Sequence, residues 1–285
     1  MGGGMAGALL RAGLRVRGVD ANPARAADLA KNGLIATATP AQAARDADAL
    51  LISVVDAGQT QAVLFGAGGA VETLRAGAVV IATSTVPPPF VEALEGRLRE
   101  HGILLIDAPV SGGTSKAATG ELSIMASGDP AAFSAAAPVL DAIAAKVYRL
   151  GDRAGIGSRM KSVNQLLAGV HIAAGCEAIA YAIRLGVEPA EAYDVITHSA
   201  GNSWMFENRI PHVLENDYTP RSAVNIFVKD LGIVLDQGRV DKFPLPLTAA
   251  AHQLFLAAAG MGMGGDDDAS IARVFAALSG IKLPQ

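Results

Sequence analysis

The chain is 285 residues long, 51% hydrophobic and 18% charged, with a formal net charge of −4. That length accommodates two domains of ordinary size, and the apolar content supplies ample core. The charge balance gives no basic stripe for nucleic acid and no polybasic membrane patch, which leaves a small molecule as the expected partner.

Cys176 is the only cysteine, so an intrachain disulfide is excluded and a reducing compartment fits. It lies in an apolar helical run and reads as core rather than as a nucleophile. The histidines show no metal-ligand spacing, and no metal is expected. The longest apolar stretch, 166–183, is broken by His171 and Glu177, which argues against a membrane span. The opening Met1–Leu10 lacks a basic leader and meets Arg11 at once, unlike a signal peptide. A soluble cytoplasmic protein is expected.

In chain order, residues 4–12 read as a helix stopped by Gly13, and 14–20 as an alternating strand ending in Asp20. A helix over 23–32 capped by Asn22 and a short helix near 40–46 lead to the buried strand 49–55. Helix 59–65, strand 78–82, helix 88–101 and strand 103–107 continue the alternation. Short apolar strands separated by helices predict a parallel sheet covered on both faces, with ligands beyond the carboxyl ends of the strands. Those ends carry Asp20, Val55-Asp56, Thr83-Ser84-Thr85 and Asp107-Ala108-Pro109-Val110-Ser111-Gly112-Gly113. After 122–127, helix 130–144 and strand 146–150, every periodic segment is helical: 158–185, 189–199, 206–215, 222–239, 247–259 and 269–278. The chain therefore divides into an α/β Rossmann-like domain over 1–152 and an all-α domain over 153–285. The acids Asp266–Asp268 have the spacing of a metal cluster, but their place before a helix reads more simply as capping.

At the switch between the two halves, Gly155-x-Gly157 runs into a helix bearing Lys161, Asn164 and Gln165. A helix turns about 100° per residue, so Asn164 lies about 60° to one side of Lys161 and Gln165 about 40° to the other. One cation and two carboxamides on one face form a site for a small hydroxy acid. Taken alone, the same stretch also reads as a solvated lysine with two capping amides. His171 returns to that face as a contact to the far end of a substrate or, more simply, as a core or wall residue, and Trp204 and Phe206 read as a lid, a subunit contact or plain packing.

Asp20 has the position of an acid that bonds the adenosine ribose and would repel the phosphate of NADP, although a solvated turn acid fits equally. Gly2, Gly4 and Gly7 satisfy G-x-G-x-x-G, yet no strand precedes them, and the motif has meaning only between a strand and a helix. The match is read as accidental.

These residues resemble the β-hydroxyacid dehydrogenases, the family that includes 3-hydroxyisobutyrate dehydrogenase and tartronate semialdehyde reductase, and the likeness runs from Met1 to Gln285. The family's opening Gly-Leu-Gly-x-Met-Gly is represented only by Met1-Gly2, with its first strand and first two glycines absent. Asp107–Gly113 resembles its substrate-binding stretch, Gly155–Gln165 its catalytic stretch and Lys229-Asp230-Leu231 its third signature. The runs 163–174 and 202–209 are similar to the L-threonate dehydrogenase branch, where Gln165 replaces an asparagine. The resemblance implies an NAD-dependent oxidation of a short hydroxy acid, with L-threonate as the leading substrate. 3-Hydroxyisobutyrate and tartronate semialdehyde chemistry are the alternatives. It further implies Lys161 as general acid/base, with Ser111, Gly112, Gly113, Asn164 and Gln165 on the substrate. Gly2, Asp20, Val55, Asp56, Thr85 and Lys229 would face the NAD, Asp56 standing where the family commonly has proline. A homodimer or homotetramer is expected. The absent strand adds the expectation that the chain begins late, and the non-enzymatic alternative that it holds NAD poorly.

Overall fold

A computed structural model describes all 285 residues, Met1–Gln285. Two compact units emerge, Met1–Lys161 and Ser162–Gln285.

The first unit opens with α1 (Gly2–Arg11), β1 (Arg17–Gly18), α2 (Pro23–Ala30), β2 (Ile35–Ala36), α3 (Pro40–Ala44), β3 (Ala49–Ile52) and α4 (Ala57–Phe65). It continues with β4 (Val79–Ala82), α5 (Pro88–Glu100), β5 (Leu104–Asp107), β6 (Val110–Ser111), α6 (Gly113–Thr119), β7 (Leu122–Ala126), α7 (Pro130–Ile143) and β8 (Ala144–Arg149). Helix starts follow local chemistry. Asn22, Thr39 and Asp129 each cap a helix whose next residue is proline, and Asp56 caps α4. A side-chain oxygen satisfies an orphan N–H, and proline costs nothing at the first helical position.

β3, β4 and β5 form a parallel sheet with β4 at its centre. The period of two sorts its side chains. Val79 and Ile81 join Ile106, Met5 and Phe133 on one face, whereas Val80 and Ala82 join Leu105, Leu64 and Leu98 on the other. Both faces are covered, as expected of a parallel sheet.

One expectation needs correction. The strand over 14–20 shrinks to Arg17–Gly18 because its partner β2 is equally short, and the β1–β2 pair forms a sheet separate from β3–β5. The later strands add an antiparallel neighbour at the end of β5. Past Pro109 the chain keeps the direction of β5, so β6 continues against β7 the antiparallel register that Asp107 begins opposite Ser127, while β8 pairs parallel to β7. An isolated bridge between Asp107 and Ser127 ties the end of β5 to the end of β7.

α8 (Ile156–Arg184) leaves the first unit and enters the second, where α9 (Pro189–Thr197), α10 (Trp204–Leu214), α11 (Val224–Asp241), α12 (Pro246–Ala258) and α13 (Ile271–Ser279) complete a helical body. The change from strand to helix near residue 152 and the end of the first unit at Lys161 do not coincide, because the opening turns of α8 are bonded into the sheet ends. α8 has the length and apolarity of a membrane span, yet its Ile172, Cys176 and Ile179 pack with Phe206, Ile210, Phe227, Leu231 and Phe255 in the core of the second unit. Burial pushes the Cys176 thiol up to about 12, with the nearby Asp268 charge acting in the same direction. The acids before α13 serve the fold. Asp267 accepts from the Ala269 and Arg221 N–H groups and lies 2.9 Å from His212 Nδ1, and Asp268 pairs with Arg209 at 2.6 Å.

Candidate active site

The start of α8 is fixed by Asp107, the last residue of β5 and 1% exposed. Its Oδ2 accepts from the backbone N–H of Gly155 at 3.0 Å and of Ser158 at 2.8 Å, and its Oδ1 accepts from the Ser158 hydroxyl at 2.7 Å. Ser127 Oγ accepts from the Gly157 N–H at 2.9 Å. A carboxylate and a hydroxyl thus satisfy the donors that every helix N-terminus leaves open, and the negative charge faces the positive end of the helix dipole. Burial raises the Asp107 pKa, and the bonds from Ser158, Gly155 and Ser127 oppose that rise. Gly157 is required by close approach, since a Cβ there would lie 2.4 Å from the Met125 carbonyl oxygen.

Lys161 follows in the second turn, only 7% exposed. Its Nζ donates to the Val110 carbonyl at 2.8 Å. Val110 and Ser111 form β6, and the next two residues take left-handed backbone, Gly112 with φ +127° and Gly113 with φ +74°. Side chains rarely adopt such conformations. The first unit therefore places the predicted lysine against the strand that leads into the predicted substrate loop.

The residues assigned to the cofactor sit at strand ends. Val55 is 47% exposed, unusual for a valine, and Asp56 beside it accepts from Gln59 N–H at 2.8 Å as the cap of α4. Next door, Ser84 Oγ accepts from Val54 N–H and the Thr83 hydroxyl donates to the Ile52 carbonyl, fixing the turn that presents Thr85. Asp20 is exposed and accepts from Asn22 N–H at 2.8 Å within its own turn. Gly2 begins α1, and a Cβ on it would stand 3.4 Å from the Ser53 side chain just beyond β3. Gly4 has another duty, since a Cβ there would come 2.9 Å from the Ala118 backbone nitrogen. It lets α1 and α6 touch, which agrees with reading the glycine spacing as accidental.

In the second unit, Asn164, Gln165, Asp230 and Lys229 form one connected set. Asn164 Nδ2 donates to Gln165 Oε1 at 3.0 Å, and Gln165 Nε2 donates to Asp230 Oδ2 at 2.6 Å. Lys229 Nζ stands 2.5 Å from Asp230 Oδ1. Ser127 was not singled out by sequence reasoning, and Asp107 and Asp230 were named only within their motifs, with no role of their own. The visible signal for both aspartates was an acid in or beside an otherwise apolar run, which buries a charge only where donors await it.

Residues 1–151 match the family described as the NAD binding domain of 6-phosphogluconate dehydrogenase, and residues 155–275 the NAD-binding domain of NADP-dependent 3-hydroxyisobutyrate dehydrogenase. The L-threonate dehydrogenase of Cupriavidus necator is 56% identical over 100% of this chain and 95% of its own length. That of Escherichia coli strain K12 is 47% identical over 100% of this chain and 93% of its own. The crystal structure of a 3-hydroxyisobutyrate dehydrogenase from Salmonella typhimurium superposes with a TM-score of 0.92 at 47% identity, covering 96% of this chain and 95% of that one. The chain belongs to the β-hydroxyacid dehydrogenases, NAD(P)-dependent enzymes acting on a CH–OH group, and within them to the L-threonate branch.

Proposed function

We propose that this enzyme oxidises L-threonate to its 2-oxo acid with NAD, using Lys161 as general acid/base. The observation that carries the reading is the buried Lys161 Nζ held 2.8 Å from the Val110 carbonyl, directly before Ser111-Gly112-Gly113, where its neutral amine form can accept a proton. The names of the relatives at 47% and 56% identity supply the substrate.

The residues present fit the dinucleotide. α1 begins with side-chain-free Gly2, Gly3 and Gly4, and its first intrahelical bond is Met5 N–H to the Met1 carbonyl. The earlier N–H groups are therefore open to an anion such as a pyrophosphate. Exposed Val55 offers apolar surface at the end of β3, and Asp20 favours NAD over NADP by repelling an added phosphate.

Bound NAD supplies the hydride acceptor. Lys161 takes the proton from the substrate hydroxyl as the hydride leaves the same carbon, so a C–H and an O–H bond break and a carbonyl forms. Ser111 and the backbone N–H groups of Gly112 and Gly113 hold the substrate carboxylate, where glycine lets the main chain approach closely. Asn164 and Gln165, further along α8, hold the remaining oxygens.

A second reading, 3-hydroxyisobutyrate oxidation, is favoured by the Salmonella structure. Parallel rates on L-threonate, 3-hydroxyisobutyrate and glycerate separate the two. A kcat/KM highest on L-threonate supports the proposal, and one no better than on the other acids contradicts it. We further read the enzyme as cytoplasmic and as a homodimer or homotetramer, supported by exposed Leu185, Val195, Phe243, Leu247 and Leu278 in the second unit. Light scattering gives the assembly directly.

A further inference from the structure

The set Asn164, Gln165, Asp230 and Lys229 has a direction. Asp230 is 1% exposed and faces Lys229 at 2.5 Å through one oxygen and Gln165 at 2.6 Å through the other. A carboxylate beside an ammonium only accepts hydrogen bonds, so Gln165 must turn its NH2 toward Asp230. A carboxamide is planar, with oxygen and nitrogen on opposite branches. Fixing the nitrogen of Gln165 therefore fixes its oxygen, which accepts from Asn164 Nδ2 at 3.0 Å. That bond in turn fixes Asn164. Its NH2 is committed toward Gln165, and its carbonyl Oδ1 is left on the opposite branch.

We propose that Asp230 is a positioning residue for substrate specificity: through Gln165 it makes Asn164 present a carbonyl oxygen, so the substrate must bring a hydroxyl donor to that place. The inference rests on the function proposed above, in which Asn164 holds a substrate oxygen. It adds which kind of oxygen. The reacting hydroxyl gives its proton to Lys161, so the donor to Asn164 is a second hydroxyl on the same acid. A methyl group, a carbonyl or a second carboxylate at that position would leave Asn164 Oδ1 unbonded or facing another acceptor, which costs more than a hydrogen bond gains. Short acids with several hydroxyls are selected by this device, and 3-hydroxyisobutyrate, which has a single hydroxyl, is disfavoured.

Asp230→Asn makes the direction reversible. An asparagine there can donate to Gln165 Oε1, Gln165 can then donate to Asn164 Oδ1, and Asn164 can present its NH2 instead. Gln165→Met removes the relay altogether and keeps the side-chain length.

The test compares kcat/KM on L-threonate with that on its 3-deoxy and 4-deoxy analogues, for the full chain and for both variants. Removing one of the two hydroxyls is expected to lower wild-type kcat/KM by about tenfold or more. In either soluble variant that penalty falls to within about threefold, as expected when an amide can offer a donor or an acceptor. Circular dichroism selects the variants that fold, and the ratio between substrates is insensitive to a general loss of active protein. A soluble variant that keeps the wild-type penalty overturns the proposal, as does a wild type indifferent to both hydroxyls. No turnover of L-threonate by the wild type would instead refute the proposed function, and this inference with it.

Discussion

Asp107 Oδ1 accepts the Ser158 hydroxyl at 2.7 Å while its Oδ2 accepts the Ser158 backbone N–H at 2.8 Å. One buried carboxylate thus grips one residue from both sides, three positions before Lys161. The lysine is aimed by the end of β5 as much as by its own helix. Asp107→Asn places an NH2 against donors and is expected to destabilise the fold by about 2–3 kcal/mol, as for breaking buried bonds to a charged group. It should also lower kcat more than it raises KM. Urea denaturation and steady-state kinetics check both effects, and Ser127→Ala, losing one neutral partner, should cost only about 1 kcal/mol.

The His212 and Asp267 contact makes stability depend on pH. Burial alone would raise the Asp267 pKa, but its bonds to His212 and to the Arg221 and Ala269 N–H groups bring it below the ordinary value. A carboxyl depressed in the folded state contributes stability above its unfolded value, near 4, and loses it as pH falls through the lower folded value. Asp267→Asn should therefore be less stable than wild type at neutral pH. The difference should shrink as pH drops below about 4, followed by thermal melts across that range.

Gly4→Ala tests two opposing effects. Alanine is the better helix residue by about 1 kcal/mol, so an uncrowded α1 would gain stability. The added Cβ would come 2.9 Å from the Ala118 nitrogen, a backbone atom that moves only with α6. Overpacking of this kind costs about 1–3 kcal/mol, and the net result should be a lower melting temperature.

Cys176 should resist thiol reagents in the native state. It is fully buried, and its thiol is pushed up to about 12, so almost no thiolate exists at neutral pH. Labelling by an aromatic disulfide should become fast only under denaturing conditions.

Much of this was legible in the sequence because the signals were local. The strand at 78–82 becomes the central β4, since a wholly apolar run bounded by turns can only be buried on both faces. The capping pair Asn22-Pro23 marked a helix start for reasons contained in two residues. The shared face of Lys161, Asn164 and Gln165 was legible from helix geometry. The role of Lys161 came from the family resemblance, since the spacing alone also fits a solvated lysine with capping amides. The antiparallel run of β7 was not legible, because the apolar residues Leu122–Ala126 read the same beside a parallel or an antiparallel neighbour. Nor were the partners of Asp107 and Asp230, which lie 51 and 65 residues away along the chain. A buried acid announces that donors exist somewhere, and only the fold says which.

The central claim is that Lys161 moves the proton and does not merely support the site. Lys161→Ala, assayed on L-threonate with NAD and titrated with NAD by calorimetry, tests it most directly. Removing a general acid/base costs about 10²–10⁴-fold in rate. The expected result is a loss of kcat in that range, NAD affinity within about threefold of wild type, and partial return of rate with added small amines, as for a missing proton acceptor. A variant that retains kcat within about tenfold of wild type would contradict it.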